Sequence, residues 1–569
     1  MGRGEPQGSG GFIRRLEFPS IEPMLGNYDA RYCMDTRSIN IALIRAVCEV
    51  AQGAIGPNAM NKLFSGTGVV TSDGLTLLKE MRFRASQPVV KLLLSALEVQ
   101  DKEAGDGTTR MLLLVGSMLE EAERLIKSRV HPSRVVAGFS EAASETVRFL
   151  EGISKKVLGM RDLIDVATTA GAGKHLAESR PVLVSDVVDG VCAVTEVRSG
   201  RRVVDREALA VEAIEGSSST ESFLLKGTLI HGRRAHPEMP QRIEEARLGI
   251  VDFPLDLFNK PAYASKIPHV KVVSVAGVSD FWDFQRARDL LEERVEAITR
   301  CGADVVVCKR GIGDLGISML AKRGLLAIER VTRELDIFRL SKATGAKVVG
   351  DPITLLENDL GSARLVEERE VAGRRAIFFE GCKSPKAVTL VIHGVNASSL
   401  GTHRRCAETI IGAVASAVEA DSILPGGGAA EAAASRFLRG RAFDFSSKKQ
   451  LIYQGFADAL MIVPSTLAKT TGADFIQLIA DLLNSQEMGH VFGIDVKSRR
   501  VANVYELGIV DPLRVVSGAI SNASDFVTQL LDIDCLLKAK PTRAEEEGEE
   551  HNHHGGMTEA AKGDDVSSK

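Results

Sequence analysis

A block of short strands alternating with helices, set between two helical stretches, predicts a multidomain chain of mixed α and α/β class. Three observations carry this. Residues 36 to about 155 have mostly helical patterning, with Val90, Leu93, Leu94 and Leu97 on one face and Val115, Met118, Leu119 and Ala122 on another. Between about 225 and 385, strand-like runs alternate with helices, which argues for an α/β domain. Helical patterning then returns over about 403–483. Such a block reads as an insertion, so one helical domain is expected from both ends of the chain.

Taken in order, residues 1 to about 35 are rich in Gly, Pro and charge and read as an arm. "VVTSDG" (69–74) reads as a short strand running into a turn. In the middle block the strand-like runs are "LGIVDF" (248–253), "VKVVSV" (270–275), "ADVVVC" (303–308) and "LLAIERV" (325–331). A helix over about 283–300 places Leu291, Val295 and Ile298 on one face. The last segment, 541–569, is acidic, polar and aperiodic, and is expected to be a solvated, disordered tail, its three histidines included.

Bulk properties narrow the function classes. A chain of 569 residues has room for several domains. The balance of 71 Lys and Arg against 75 Asp and Glu gives a net charge of −4, which argues against nucleic acid as the main partner. No apolar run is expected to reach the roughly 18 residues of a membrane span. "MGRGEPQGSGGFIRR" lacks the apolar core of a signal peptide, so the cytoplasm is the expected compartment. The eight cysteines never fall in C-x-x-C spacing and read as free thiols of a reducing compartment.

The chemistry concentrates in "VQDKEAGDGTTRMLLLV". Gly105 and Gly107, on either side of Asp106, let the backbone bend so that successive N–H groups converge on an anion. Thr108 and Thr109 add hydroxyl donors, and a helix starting near Arg110 points its positive end at the same place. A carboxylate inside a phosphate cradle repels its ligand unless a divalent cation lies between them. Asp106 therefore reads as a Mg²⁺ ligand on a nucleotide, since Mg²⁺ takes one or two carboxylates plus phosphate oxygens. The plain alternative is a turn before an N-capping Thr. Two more loops bear on the choice: "IGPNAMNKL" (55–63), with Gly56-Pro57 after a helical run, and "TSDG" (71–74), with Asp73 beside a glycine. The Walker pattern G-x-x-x-x-G-K-[ST] is absent, so this is not a P-loop site.

"VVTSDGLTLLKEM" followed by "EVQDKEAGDGTT" at this separation resembles the group II chaperonins, the thermosome and eukaryotic cytosolic chaperonin family. The likeness runs over about residues 35–540 and reappears in "LSKATGAKVV" (340–349), "EGCKSPKAVTLVIHG" (380–394), "LPGGGAAE" (424–431), "FADALMIVPSTLAKTTG" (456–472) and "ELGIVDPLRV" (506–515). It implies the chaperonin fold. A mostly helical equatorial domain would be formed by 36–157 and 421–540, a hinge-like intermediate domain by 158–223 and 385–420, and an inserted α/β apical domain by 224–384. The arm (1–35) and the tail (541–569) lie outside these. A helical protrusion near 254–290, including Phe258, Phe281 and Trp282, would act as a built-in lid. The resemblance further implies an ATP-dependent chaperone that encapsulates non-native polypeptides within a double ring of subunits, homomeric or mixed, with ATP and Mg²⁺ as cofactors. Residue by residue it assigns Asp106 to the metal. Gly56, Pro57, Gly105, Gly107, Thr108, Thr109, Gly427, Gly428 and Asp511 go to the nucleotide, Asp511 through the ribose, and Asp73 to activation of the attacking water.

The departures matter as much. The resemblance implies a second catalytic carboxylate seventeen residues before the first glycine of the Gly run, and that place, 426 − 17, is Thr409. A threonine hydroxyl cannot take a proton from water as an aspartate can. Glu408 lies next door and is the candidate catalytic substitute, but one residue on a helix turns the side chain by about 100°, so its use requires a local register change. Hydrolysis is therefore expected to be weakened, with a non-cycling assembly scaffold as the alternative. Ala59 stands where a Gly is usual, which would penalise positive φ. Arg110 replaces a third Thr, either adding a phosphate contact or crowding the site, and "LAKTTG" (467–472) alters the nucleoside wall. A rival class comes from "KRGIGDLGISML", whose Gly311, Gly313 and Gly316 form a literal G-x-G-x-x-G after a strand, with Glu329 eighteen residues on from Gly311. Alone, this dinucleotide fingerprint is weak; a β–α turn explains it equally.

Overall fold

The computed structural model describes residues 28–29, 36–81, 88–173, 181–215, 222–256, 278–371, 373–382, 385–394, 397–533 and 538–539. The acidic tail, most of the arm, the run 270–275 and most of the expected protrusion with Phe258 lie outside them, as do the side chains of Phe281 and Trp282.

The first helical stretch holds α1 (Thr36–Ala51), α2 (Gly74–Glu80), α3 (Pro88–Ala104), α4 (Thr108–Lys127) and α5 (Pro132–Ile153). Two helices, α6 (Met160–Gly171) and α7 (Pro181–Ala193), lead into the strand-rich middle with α8 (Val278–Arg300), α9 (Asp314–Lys322) and α10 (Glu334–Thr344). The long α11 (Ala397–Ala420) leads back to α12 (Ala429–Ala442), α13 (Lys448–Leu460), α14 (Ile462–Thr470), α15 (Phe475–Ser485) and α16 (Leu513–Asp532).

One apolar core joins residues 41–150 to residues 424–531, so the two ends of the chain do build a single helical body. At its centre is α4, which buries Met111 through Val115 and then Met118, Leu119 and Ala122 on one face. Phe139 of α5 meets Phe456 of α13 edge to face at 5.3 Å, and truncating either to Ala should cost about 3–5 kcal/mol. Tyr28–Asp29 pairs antiparallel with Lys538–Ala539, so the end of the arm is tied to the far end of the chain instead of hanging free.

The middle folds around a mixed seven-stranded sheet. Arg242–Val251 pairs in parallel with Val305–Cys308, which pairs in parallel with Leu326–Ile328. On its other edge it runs antiparallel to Gly361–Val371, followed by Arg374–Glu380 and Gly227–His231. A separate three-stranded sheet has the order Leu209–Glu215, Val388–Gly394, Phe223–Leu225. Its cover of α6, α7 and α11 shares one apolar cluster with the inner face of the seven-stranded sheet.

Three expectations need correction. The last helical stretch is broken by the strand Ser422–Pro425, which pairs with Val510–Pro512 and Lys155–Lys156. The helix after the Gly-Asp-Gly loop starts at Thr108, two residues before Arg110, because Gly107 takes the N-cap place. Residues 448–470 are long and apolar enough to cross a membrane, contrary to the sequence reading, but α13 and α14 pack inside the helical core with 72% of the apolar window buried. The six described cysteines are free.

Candidate nucleotide site

Between α3 and α4 the chain turns through two left-handed glycines, Gly105 at φ +73° and Gly107 at φ +86°. A side chain at either place would be strained, and at Gly105 there is no room for one. A Cβ there would lie 2.4 Å from Cα of Gly412, on α11. Gly107 caps α4 with no side-chain hydrogen bond, so the amides of the first turn have no side-chain acceptor at the N-cap. The loop is held from behind by buried Gln100, whose Nε2 donates to the Asp106 carbonyl at 2.9 Å and to that of Val515 at 3.3 Å. The Gln100 oxygen accepts from Asn522 at 2.8 Å. The Asp106 carboxylate accepts from its neighbour's N–H, Gly107 N, at 2.6 Å.

The "TSDG" loop is stitched to this one. Asp73 caps α2, accepting from Thr76 N at 2.9 Å and Thr76 Oγ1 at 2.7 Å, while Thr108 Oγ1 donates to its other oxygen at 2.8 Å. Thr109 Oγ1 accepts from Gly74 N at 3.0 Å and donates to the Ser72 carbonyl at 3.3 Å. The two hydroxyls expected to face phosphate therefore join the loops together. In the third loop Gly56 takes φ +83° and accepts from Ala59 N at 3.1 Å. Ala59 itself is not at positive φ, so the penalty expected there does not arise.

These loops wall a cavity of about 400 Å³, within the range of small-molecule sites. Gly56, Pro57, Asp73, Asp106, Gly107, Thr109, Gly427 and Asp511 line it. Gly105, Thr108, Gly428 and Glu408 do not, although Gly428 (φ +75°) caps α12 beside Pro464. Sequence reasoning missed Thr168 and Thr169 of α6 and Ile494 to Lys497 on the hairpin Phe492–Asp495/Arg500–Asn503. Neither segment has local pattern beyond an amphipathic helix and a turn.

Charge around the loop is unbalanced. Burial pushes the Asp101 carboxyl up, and repulsion from Asp73, Asp106 and Glu408 adds to it against the pull of Lys79. Among the described residues no three His, Cys, Asp or Glu side chains form a metal-binding group.

Arg110 lines the same cavity and is tied into its wall. Its Nη2 is 2.5 Å from Asp511 Oδ2 and its Nε 3.1 Å from Glu431 Oε1. Glu431 is 1% exposed and neither of its oxygens has a hydrogen bond, so Arg110 is its one ion-pair partner among the described residues. Burial pushes the Glu431 carboxyl up, with Arg110 opposing. Burial also works against the Arg110 charge, but Asp511 and Glu431 outweigh it and hold the guanidinium protonated. Removing one member of such a trio typically costs about 3–5 kcal/mol, since a buried charge is left unpaired.

On α11, Thr409 Oγ1 donates to the Arg405 carbonyl of its own helix at 2.8 Å. Glu408 is exposed and pairs with Arg404 at 2.8 Å, one turn back. Neither lines the cavity. The helix is nonetheless close to the loops. Arg405 Nη2 and Thr402 Oγ1 donate to the Val70 carbonyl, at 2.8 and 3.2 Å, just before the "TSDG" turn. Ser416 Oγ donates to the Ala104 carbonyl at 2.6 Å.

The rival glycine loop is filled by protein. Ile312 N donates to Glu329 Oε2 at 3.1 Å and Gly313 N to the Leu255 carbonyl at 2.8 Å. A Cβ on Gly313 would lie 2.4 Å from an Asp256 carboxylate oxygen. Two carboxylates stand where a pyrophosphate would go, and the loop is a β–α turn.

The family model described as the TCP-1/cpn60 chaperonin family matches residues 47–541. A thermosome subunit of Methanocaldococcus jannaschii is 35% identical over 529 residues, covering 92% of this chain and 96% of its own. One from Methanopyrus kandleri is 36% identical, covering 89% and 92%, and the alpha subunit of Archaeoglobus fulgidus is 34% identical, covering 90% and 94%. The chain belongs to the TCP-1/cpn60 chaperonin family, and within it to the group II chaperonin subunits.

Proposed function

We propose that this chaperonin subunit binds ATP with Mg²⁺ in the cavity beside Asp106, and that nucleotide drives encapsulation of non-native polypeptides with weakened hydrolysis. The observation that carries it is the junction itself: an uncapped helix end, two left-handed glycines and the carboxylates Asp73 and Asp106 on one cavity wall. Asp106 would hold the metal, which supplies charge neutralisation for the triphosphate. Gly56, Pro57, Gly107 and Thr109 would face its phosphates, with Gly105 and Thr108 shaping that loop. Gly427 would face the nucleoside, with Gly428 fixing its turn, and Asp511 lies within the cavity for the sugar. Asp73 would orient water.

In this reading the helical body is the equatorial domain, the three-stranded sheet with α6, α7 and α11 the intermediate one, and the large sheet the apical one. The protrusion near 254–290 serves as lid, and the subunits assemble as a double ring, alone or with others, in the cytoplasm. The Gly105–Gly412 contact and the α11 bonds to Val70 join the intermediate segment to the nucleotide loops. A ligand moves such a joint only through contacts that differ between its two positions. The shielded polypeptide is thereby kept from aggregating.

Thr409 favours a second reading, an assembly scaffold that binds ATP without cycling it, because its hydroxyl is held by its own helix. An ATPase assay paired with assembled mass by light scattering separates them. The expected result is a particle many times the 61.1 kDa chain with slow turnover. A ring that binds ATP with no turnover selects the scaffold, and a monomer that binds none contradicts both.

A further inference from the structure

Arg110 stands out because it engages a cavity residue that a ligand needs. Asp511 lines the cavity, and a carboxylate there is the natural acceptor for sugar hydroxyls. Yet its Oδ2 is already taken by Arg110 Nη2 at 2.5 Å, with the Arg110 side chain 11% and the Asp511 side chain 16% exposed, which leaves Oδ1 as the oxygen a sugar hydroxyl could reach. The guanidinium cannot give up its proton to release the carboxylate. Nor can it swing away, because Glu431, 1% exposed, would then be a buried carboxylate with no counter-charge. Breaking a buried ion pair costs more than one charge-assisted hydrogen bond returns. A sugar hydroxyl therefore does not displace Arg110 and meets Oδ1 alone, a weakened acceptor because the guanidinium already compensates the carboxylate's charge.

We propose that Arg110 sets the sugar specificity of this site: by holding Asp511 it makes the cavity nearly indifferent between ribo- and deoxyribonucleoside triphosphates. This deepens the nucleotide reading above and rests on it. The two carboxylates and one guanidinium link the starts of α4, α12 and α16, so the trio also fixes the cavity wall.

The test is competition calorimetry on the full chain with ATP, 2′-deoxy-ATP and 3′-deoxy-ATP, each with Mg²⁺. In the unaltered protein the three dissociation constants are expected within about threefold. Arg110→Thr frees Asp511 but strands Glu431, so it is paired with Glu431→Gln. That double variant should prefer ATP over at least one deoxy form by about tenfold, the discrimination of one hydroxyl contact to a charged acceptor. A tenfold preference for ATP in the unaltered protein overturns the inference, whatever the variants do. So does a folded double variant whose ratios stay near one. Failure of all three nucleotides to bind falls on the nucleotide reading itself and takes this inference with it.

Discussion

Two glycine loops in this molecule look alike as strings and differ as sites. Gly105-Asp106-Gly107 opens α4 and Gly311-Ile312-Gly313 opens α9, and in both the N-cap glycine has no side-chain cap. Around the first, neighbouring loops stand back to leave about 400 Å³. Against the second, Glu329 and the Leu255 carbonyl take the amides at 3.1 and 2.8 Å, and Asp256 crowds the glycine. Glycine spacing makes a backbone able to bind an anion. Whether it does depends on what the rest of the chain places in the concavity, and only the helical body leaves it open.

The comparison can be broken most forcefully at the glycines. Gly105→Ala puts a Cβ at φ +73° against Gly412, and the strain and overpacking together should cost on the order of 3 kcal/mol. Gly311→Ala meets nothing nearer than Arg330 Nε at 3.7 Å and should change stability by under about 0.5 kcal/mol. Denaturant midpoints read both, and equal effects would erase the distinction. Next in size is Thr409→Asp, which supplies the carboxylate α11 lacks and should raise ATP turnover about tenfold or more. A flat rate would mean that the missing carboxylate does not limit hydrolysis.

Glu329→Gln should be milder still. The amide oxygen can still accept from Ile312 N, so stability should move by under about 1 kcal/mol, with ATP affinity untouched. NADH fluorescence should not respond to the protein in either form, and a saturable response would revive the dinucleotide reading. The smallest effect belongs to His231 and Glu212, 3.0 Å apart across the junction of the two sheets. The Glu212 hydrogen bond raises the His231 pKa above 6.5; at Glu212 burial pushes upward, but the His231 hydrogen bond and the charges of His231, Arg339 and Arg404 together outweigh it and lower Glu212 below 4.5. Asp336 adds to the His231 shift and Arg333 opposes it. The histidine's contribution is fully present below pH 6.5 and is lost as pH rises through its raised pKa; the glutamate's is present above pH 4.5 and fades as pH falls through its lowered one. Both groups are partly exposed, so the swing should stay within about 1 kcal/mol. His231→Gln should flatten the neutral-pH limb of a melting-temperature profile, and an unchanged slope would remove the pair as its cause.

The helical body was legible because α4, α5 and α13 bury apolar faces at helical spacing, a signal every turn repeats. The tight turn at Gly105-Asp106-Gly107 was legible because glycines permit positive φ, which both adopt. What could not be read depends on approach in space. Nothing in "PGGGAAE" says that Glu431 meets Arg110, since the two carry no shared local pattern and touch only when α4 and α12 pack. Gly412, mid-helix in α11, gives no hint that it accommodates Gly105. The hairpin that brings Ile494 and Val496 to the cavity is two short strands and a turn, like many others. The threonine hydroxyls of "GDGTT" were assigned to a ligand when their first partners lie in "TSDG".

The most direct measurement is calorimetric titration of ATP into the full chain, with and without Mg²⁺, beside the Asp106→Ala variant. Tight binding is expected only with the metal, and Asp106→Ala should weaken it by a hundredfold or more, the scale of a lost metal ligand. Affinity that is equal without Mg²⁺, or unchanged in a folded Asp106→Ala protein, would contradict a metal-bridged nucleotide at this loop.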